Sequence, residues 1–174
     1  MLPVELYGPG KAISFESPDA FVLSNHVRFP GLDPDFILQV CFEHPARFDA
    51  LLPQFDARRH VARRVVKTAG WVYENVRHDD NRDVDFWFEH FDSQLHSGRS
   101  DYEVFNHMVK HGEWPFPPVV VEASLAASLG APSGIIGKPF HLVEGTHRVL
   151  YLRRMIQLGL TPRERCVVLI EVAE

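Results

Sequence analysis

The stretch Phe140-His141-Leu142-Val143-Glu144-Gly145-Thr146-His147-Arg148-Val149-Leu150-Tyr151-Leu152-Arg153 decides how the chain is read. Its first four residues are mostly apolar and predict a strand over 140–143. Apolar residues then recur at helical spacing, with Gly159 as the stop, so a helix is predicted over 146–158. Cys166-Val167-Val168-Leu169-Ile170 supplies a closing strand. Gly145 alone separates the first strand from the helix. Glycine permits a sharp turn and lets a ligand approach the backbone. The helix start leaves unpaired N–H groups, and its dipole attracts an anion.

His147 and Arg148 place two cations in the first helical turn, where the dipole favours acids. A bound anion removes that conflict. Arg148 suits phosphate because its planar fork donates two parallel hydrogen bonds. Thr146 can cap the helix or turn its hydroxyl to a ligand. Glu144 is a carboxylate beside the pocket, a candidate base or metal-ion contact. Glu144 and His147 are therefore the candidate catalytic pair, and Gly145, Thr146, His147 and Arg148 the candidate phosphate-binding set. The bland alternative pairs Glu144 with Arg148 and leaves His147 solvated on the surface.

Upstream, Pro117-Pro118-Val119-Val120-Val121 predicts a buried strand, and residues 124–129 a short helix. The glycine-rich segment 130–137 reads as a mobile loop. Lys138 follows it and is a further candidate for reaching a phosphate. This is not a Walker loop, because Pro132 stands at the first glycine position and Pro139 replaces Ser/Thr.

Helices are expected to dominate residues 32–112. Asp33 and Pro34 open one that runs to His44, and Pro45 opens another through Leu52. Val61, Val65, Ala69, Val72 and Val76 recur at three- and four-residue spacing and predict the longest helix over 56–76. Arg58, Arg59, Arg63, Arg64 and Lys67 make that helix basic, which the acidic run Asp79-Asp80, Asp83, Asp85 offsets. Val84, Phe88, Phe91 and Leu95 mark a helix that stops at Ser97-Gly98. Ser100 and Glu103 suggest a capping box for the helix before His111-Gly112. His107 and His111 lie four apart and read as a polar face rather than a metal pair, since no H-E-x-x-H motif accompanies them. Trp87, if outside the core, would mark a partner surface. At the start, Val4-Glu5-Leu6-Tyr7 and Ala12-Ile13-Ser14-Phe15 alternate around Gly8-Pro9-Gly10 and predict two short strands.

The 174 residues favour a single domain over 1–174, and 45% hydrophobic with 24% charged residues is ordinary for a globular chain. A net charge of −5 argues against a general nucleic-acid coat. Cys41 and Cys166 sit in apolar runs without a C-x-x-C motif and read as buried free thiols in a reducing cytosol. With no signal-like leader and no apolar run of membrane length, a cytoplasmic location is expected.

On Glu144-Gly145-Thr146-His147-Arg148 and the order of elements around it, residues 114–172 resemble the ParB/sulfiredoxin superfamily. Its members place G-x-H-R or G-E-R-R between a strand and a helix, after a proline-bearing strand entry. The resemblance implies an α+β fold: a small mixed sheet of ParB/sulfiredoxin-like type with a large helical insertion or N-terminal helical segment. It further implies that Gly145, Thr146, His147 and Arg148 hold nucleotide phosphates, with ATP or CTP and Mg²⁺ as the expected cofactors. Sulfiredoxins carry a reactive cysteine where this chain has Thr146, so sulfinic reduction is not expected. Chromosome-partition ParB proteins continue into a helix-turn-helix domain, whereas this sequence ends at Glu174. Free serine kinases of the superfamily carry D-G-H-H-R, whose acid Glu144 matches. The helical stretch from Leu32 to His111 departs from all of them.

Three functions follow as expectations. The first is a phosphotransferase, nucleotidase or nucleotide-dependent switch using the Gly145 to Arg148 turn. The second is a protein-interaction module (antitoxin, immunity or scaffold protein) on a degenerate ParB-like fold. The third is nucleic-acid binding through a helix from Arg58 to Lys67. No membrane partner is expected.

Overall fold

The computed structural model describes residues 17–77, 82–98, 100–160 and 165–173. The strands expected at 4–7 and 12–15 lie outside them, as do Asp79 and Asp80 of the acidic run. Elements follow in the order α1 (Pro18–Arg28), α2 (Pro34–Phe36) running into a π-helical segment (Ile37–Phe42), α3 (Pro45–Leu51), β1 (His60–Lys67), α4 (Ala69–Asn75), β2 (Val76–Arg77), α5 (Arg82–Ser97), α6 (Glu103–His111), β3 (Val119–Glu122), α7 (Ala123–Ser128), β4 (Phe140–Glu144), α8 (Thr146–Gln157) and β5 (Arg165–Val172).

The five strands among the described residues form one mixed sheet in the order β1-β5-β3-β4-β2. β1 is antiparallel to β5, β3 parallel to β5 and antiparallel to β4, and β2 parallel to β4. The chain is thus α+β with a mixed sheet. The triple valine is its centre: Val119, Val120 and Val121 are fully buried because helices cover both faces. Val119, Val121, Val143, Val168 and Ile170 face a core shared with α1, α2, α3 and α7, including Phe21, Phe36, Phe48 and Ala126. Val120, Leu142 and Val167 face the other core, with Val72, Phe91, Phe105, Val149, Tyr151 and Met155 from α4, α5, α6 and α8. Alternation along each strand divides its side chains between the two layers.

The strand–glycine–helix–strand unit stands where the sequence puts it. Asp33 caps α2, accepting from the Asp35 N–H at 2.9 Å, and Pro34 occupies the first turn. The helix predicted over 56–76 does not form. Residues 60–67 are the edge strand β1, Thr68 caps α4 by accepting from the Trp71 N–H at 3.0 Å, and Val76 begins β2. β1 pairs along its length only with β5, its other side making a single bridge from Ala62 to Leu32, and its burial does not alternate cleanly: Val66 is 64% exposed. Its valines happen to satisfy helical spacing as well. The basic helix proposed for nucleic acid is therefore absent. Arg63 pairs with Glu171, Arg64 with Asp33 and Asp35, and Lys67 lies 4.6 Å from the Trp71 ring centroid.

Smaller corrections follow. The capping box at Ser100 is not made: α6 starts at Glu103 after Tyr102, and Ser100 Oγ accepts from the Tyr102 N–H. α1 has no counterpart among the expected elements. Cys41 is a buried free thiol, pushed far above the usual range by burial, whereas Cys166 is also free but only partly buried. No described helix is long and apolar enough to cross a membrane.

Candidate functional site

β4 ends at Glu144, whose partner across the sheet is Val119. Gly145 then takes φ 107° and ψ 31°, a left-handed conformation, and occupies the N-cap position of α8. Thr146 is thus the first helical residue rather than the cap, and the N-cap position makes no side-chain hydrogen bond to this helix. Glycine is required here for a second reason. A Cβ at Gly145 would lie 2.8 Å from Arg148 Nη2 and 2.8 Å from Pro118 Cβ. The arginine folds back along the turn, and its guanidinium rests over the positive end of the helix.

Arg148 is 8% exposed. Its one ionic neighbour among the described residues is Glu144, with Nη2 3.8 Å from Oε1, and no hydrogen bond to the guanidinium is formed within the described residues. Burial lowers its pKa, against the pull of Glu144, Tyr102, Glu43 and Asp35, yet an arginine stays charged at any ordinary pH. The Arg148 nitrogens are not among the fully enclosed polar atoms that lack a partner, so the guanidinium stays open to the cleft, where an acceptor can reach its donors. Glu144 has a donor at each oxygen by contrast. Its Oε1 accepts from the Gly145 N–H at 3.0 Å, and its Oε2 lies 3.4 Å from Arg47 Nη1.

The turn opens into a cleft of about 530 Å³ between the two helical layers. Leu38, Gln39, Glu43, His44 and Arg47 line one side, from the π-helical segment through α3. The Glu43 N–H bonds the Leu38 carbonyl at 3.1 Å, the wider i→i+5 spacing that often accompanies functional sites. Gln39 donates from Nε2 to the Pro117 carbonyl at 3.1 Å, which fixes the orientation of its amide. Its Oε1, also buried, has no hydrogen-bond partner among the described residues.

Phe86, Trp87, Tyr102, Val104 and Phe116 line the other side. His147 belongs to this wall rather than to bulk solvent. Its ring centroid lies 3.5 Å from that of Trp87, and Nδ1 bonds the Tyr102 hydroxyl. Burial raises the Tyr102 pKa, with Arg148 pulling it down and Glu144 up, so the phenol keeps its proton at neutral pH. Behind them, Tyr151 is fully buried and bonds His90 Nδ1 through its hydroxyl.

The fold therefore brings Glu144, Gly145, Thr146, His147 and Arg148 to one cleft. Lys138 is not there. It is exposed and precedes the opposite end of β4, roughly 20 Å of extended chain from Glu144. Gln39, Glu43, Arg47, Trp87 and Tyr102 complete the cleft without any sequence motif. Among the described residues, no cluster of three or more His, Cys, Asp or Glu side chains could hold a metal ion. His107 and His111 lie side by side on α6, their ring centroids 4.6 Å apart and their planes tilted by 42°. A second concavity, about 610 Å³, lies between α1 and the outer end of β1, and its Arg63, Arg64, Asp33 and Glu171 are already paired with one another or with Asp35.

Compared with protein-family models, with curated proteins and with solved structures, the chain matches none of them.

Proposed function

We propose that the α8 cleft binds a phosphate-bearing small molecule, a mononucleotide, with its phosphate on Arg148 and the first amides of α8. The carrying observation is the Arg148 guanidinium: buried, laid over the positive helix end and without a hydrogen bond among the described residues. A phosphate would supply acceptors for its fork and relieve its conflict with the dipole. The aromatic wall suits a base, since Phe86 and Phe116 are 58% and 43% exposed beside Trp87. The cleft volume falls within the roughly 300–1,000 Å³ of small-molecule sites. The resemblance of 114–172 to the ParB/sulfiredoxin superfamily supports the same ligand class. For turnover as a phosphotransferase or hydrolase, His147 is the acid–base group held in place, by Tyr102 and Trp87.

The test is thermal shift and calorimetry of wild type and Arg148→Ala against ATP, CTP, GTP, ADP and inorganic phosphate, with and without Mg²⁺. A ligand at about 100 times its Kd stabilises the fold by about 2.7 kcal/mol. The reading expects such a shift with at least one nucleotide and its loss in Arg148→Ala. Equal shifts in both proteins would contradict it.

A second reading, a protein-interaction module, is favoured by Leu23 and Val27. They lie one turn apart on α1 and are 68% and 74% exposed. Co-purification that depends on these two side chains would support it.

A further inference from the structure

We infer that the Glu144 carboxylate occupies the seat of the ligand's anionic group and must leave it when the ligand enters. This rests on the proposed phosphate site and assigns Glu144 a role within it. The carboxylate already makes the contacts that an incoming phosphate would make. It accepts from the Gly145 N–H at 3.0 Å, lies 3.8 Å from Arg148 Nη2 and lies 3.4 Å from Arg47 Nη1. It is an imperfect occupant. A side chain anchored one residue before the turn reaches only the first amide, and at 3.8 Å it makes no hydrogen bond to the guanidinium. A phosphate is not tethered and presents more acceptors, so it can engage the fork that Glu144 leaves unmet.

Arg47 supplies the exit. Its side chain is 60% exposed, whereas that of Glu144 is 18% exposed. An outward swing of the carboxylate keeps it beside Arg47 while vacating Gly145 and Arg148. The same geometry opposes a metal-bridging role. Both carboxylate oxygens face cationic or N–H donors, so a divalent ion placed there would meet Arg47 and Arg148 as like charges. Glu144 is thus a specificity-determining residue. Weak monoanions lose to the resident carboxylate, and a ligand must bring the charge and the oxygens of a phosphate to displace it.

The experiment is calorimetric titration of ATP and of inorganic phosphate, in Mg²⁺-free buffer, into wild type, Glu144→Gln, Glu144→Ala and Glu144→Ala/Arg148→Ala. The alanine variant is included because a glutamine amide can still accept from the Gly145 N–H. Thermal melts confirm that each variant is folded. The expected result is ATP binding at least about tenfold tighter in Glu144→Ala than in wild type, an intermediate value for Glu144→Gln, and loss of the gain in the double variant. Equal or weaker binding in both single variants, with wild type binding ATP normally, would overturn the inference and leave the phosphate site standing. Absence of binding in all four proteins would overturn both. A gain that survives in the double variant would show general charge removal and would also overturn the inference.

Discussion

The two walls of the α8 cleft come from opposite layers of the fold and differ in how far the fold depends on them. The aromatic wall is the rim of a core. Trp87 and Tyr102 contact His147, and behind them Tyr151 packs edge-on against Phe91 at 5.2 Å and Phe105 at 6.1 Å between centroids. The charged wall is looser. Its charged contacts, including those to the Glu144 turn, span 3.4–4.0 Å, and Arg47 is largely in solvent. Truncating the first wall removes packing, whereas truncating the second removes charges that are poorly matched before a ligand arrives. Stability and binding should therefore move together on the aromatic side and separately on the charged side.

The largest effect is expected where the walls meet. Gly145→Ala places a Cβ against Pro118 and the Arg148 guanidinium at a positive φ. Left-handed backbone and overpacking together should cost roughly 2–4 kcal/mol in urea unfolding. A near-neutral outcome would mean that the turn can reshape, and the comparison of walls would lose its fixed hinge. Next, Trp87→Ala should cost roughly 2–3 kcal/mol, below a fully buried aromatic because the ring is only partly covered. It should also weaken nucleotide binding about tenfold if a base stacks there. A stability loss without an affinity loss would reduce this wall to packing.

Tyr102→Phe keeps the ring and deletes the bond to His147 Nδ1. A loss of about 1 kcal/mol in thermal unfolding is expected. The smallest effect belongs to Arg47→Ala. An exposed ion pair contributes about 0–1 kcal/mol, so the melting curve should barely move. A large destabilisation there would show that the charged wall is structural after all.

Legibility in the sequence follows the range of the interactions. The unit from Phe140 to Ile170 was readable because its signals are local: an apolar run, a glycine that must adopt positive φ at the strand–helix joint, and a second one after the helix. The segment from His60 to Val76 is ambiguous in sequence because its valines fit a 3.6-residue period and an edge strand equally well. Thr68, the cap between β1 and α4, is the local mark of the break. The site divides the same way. Glu144 through Arg148 share one turn and were legible. Arg47 meets Glu144 across 97 residues and Tyr102 meets His147 across 45, contacts that only the packing of helices on both faces creates. The unmet Gln39 Oε1 was equally invisible, since it follows from a bond to Pro117 that lies 78 residues away.

The most direct test is an amide-resolved NMR titration of the wild-type protein with ATP, following the backbone N–H groups of Gly145, Thr146, His147 and Arg148 and the Arg148 Nε–H. The account predicts that these signals shift first and saturate together, with the Trp87 indole moving in step. Shifts confined to the concavity between α1 and β1, or none at saturating nucleotide, would contradict it.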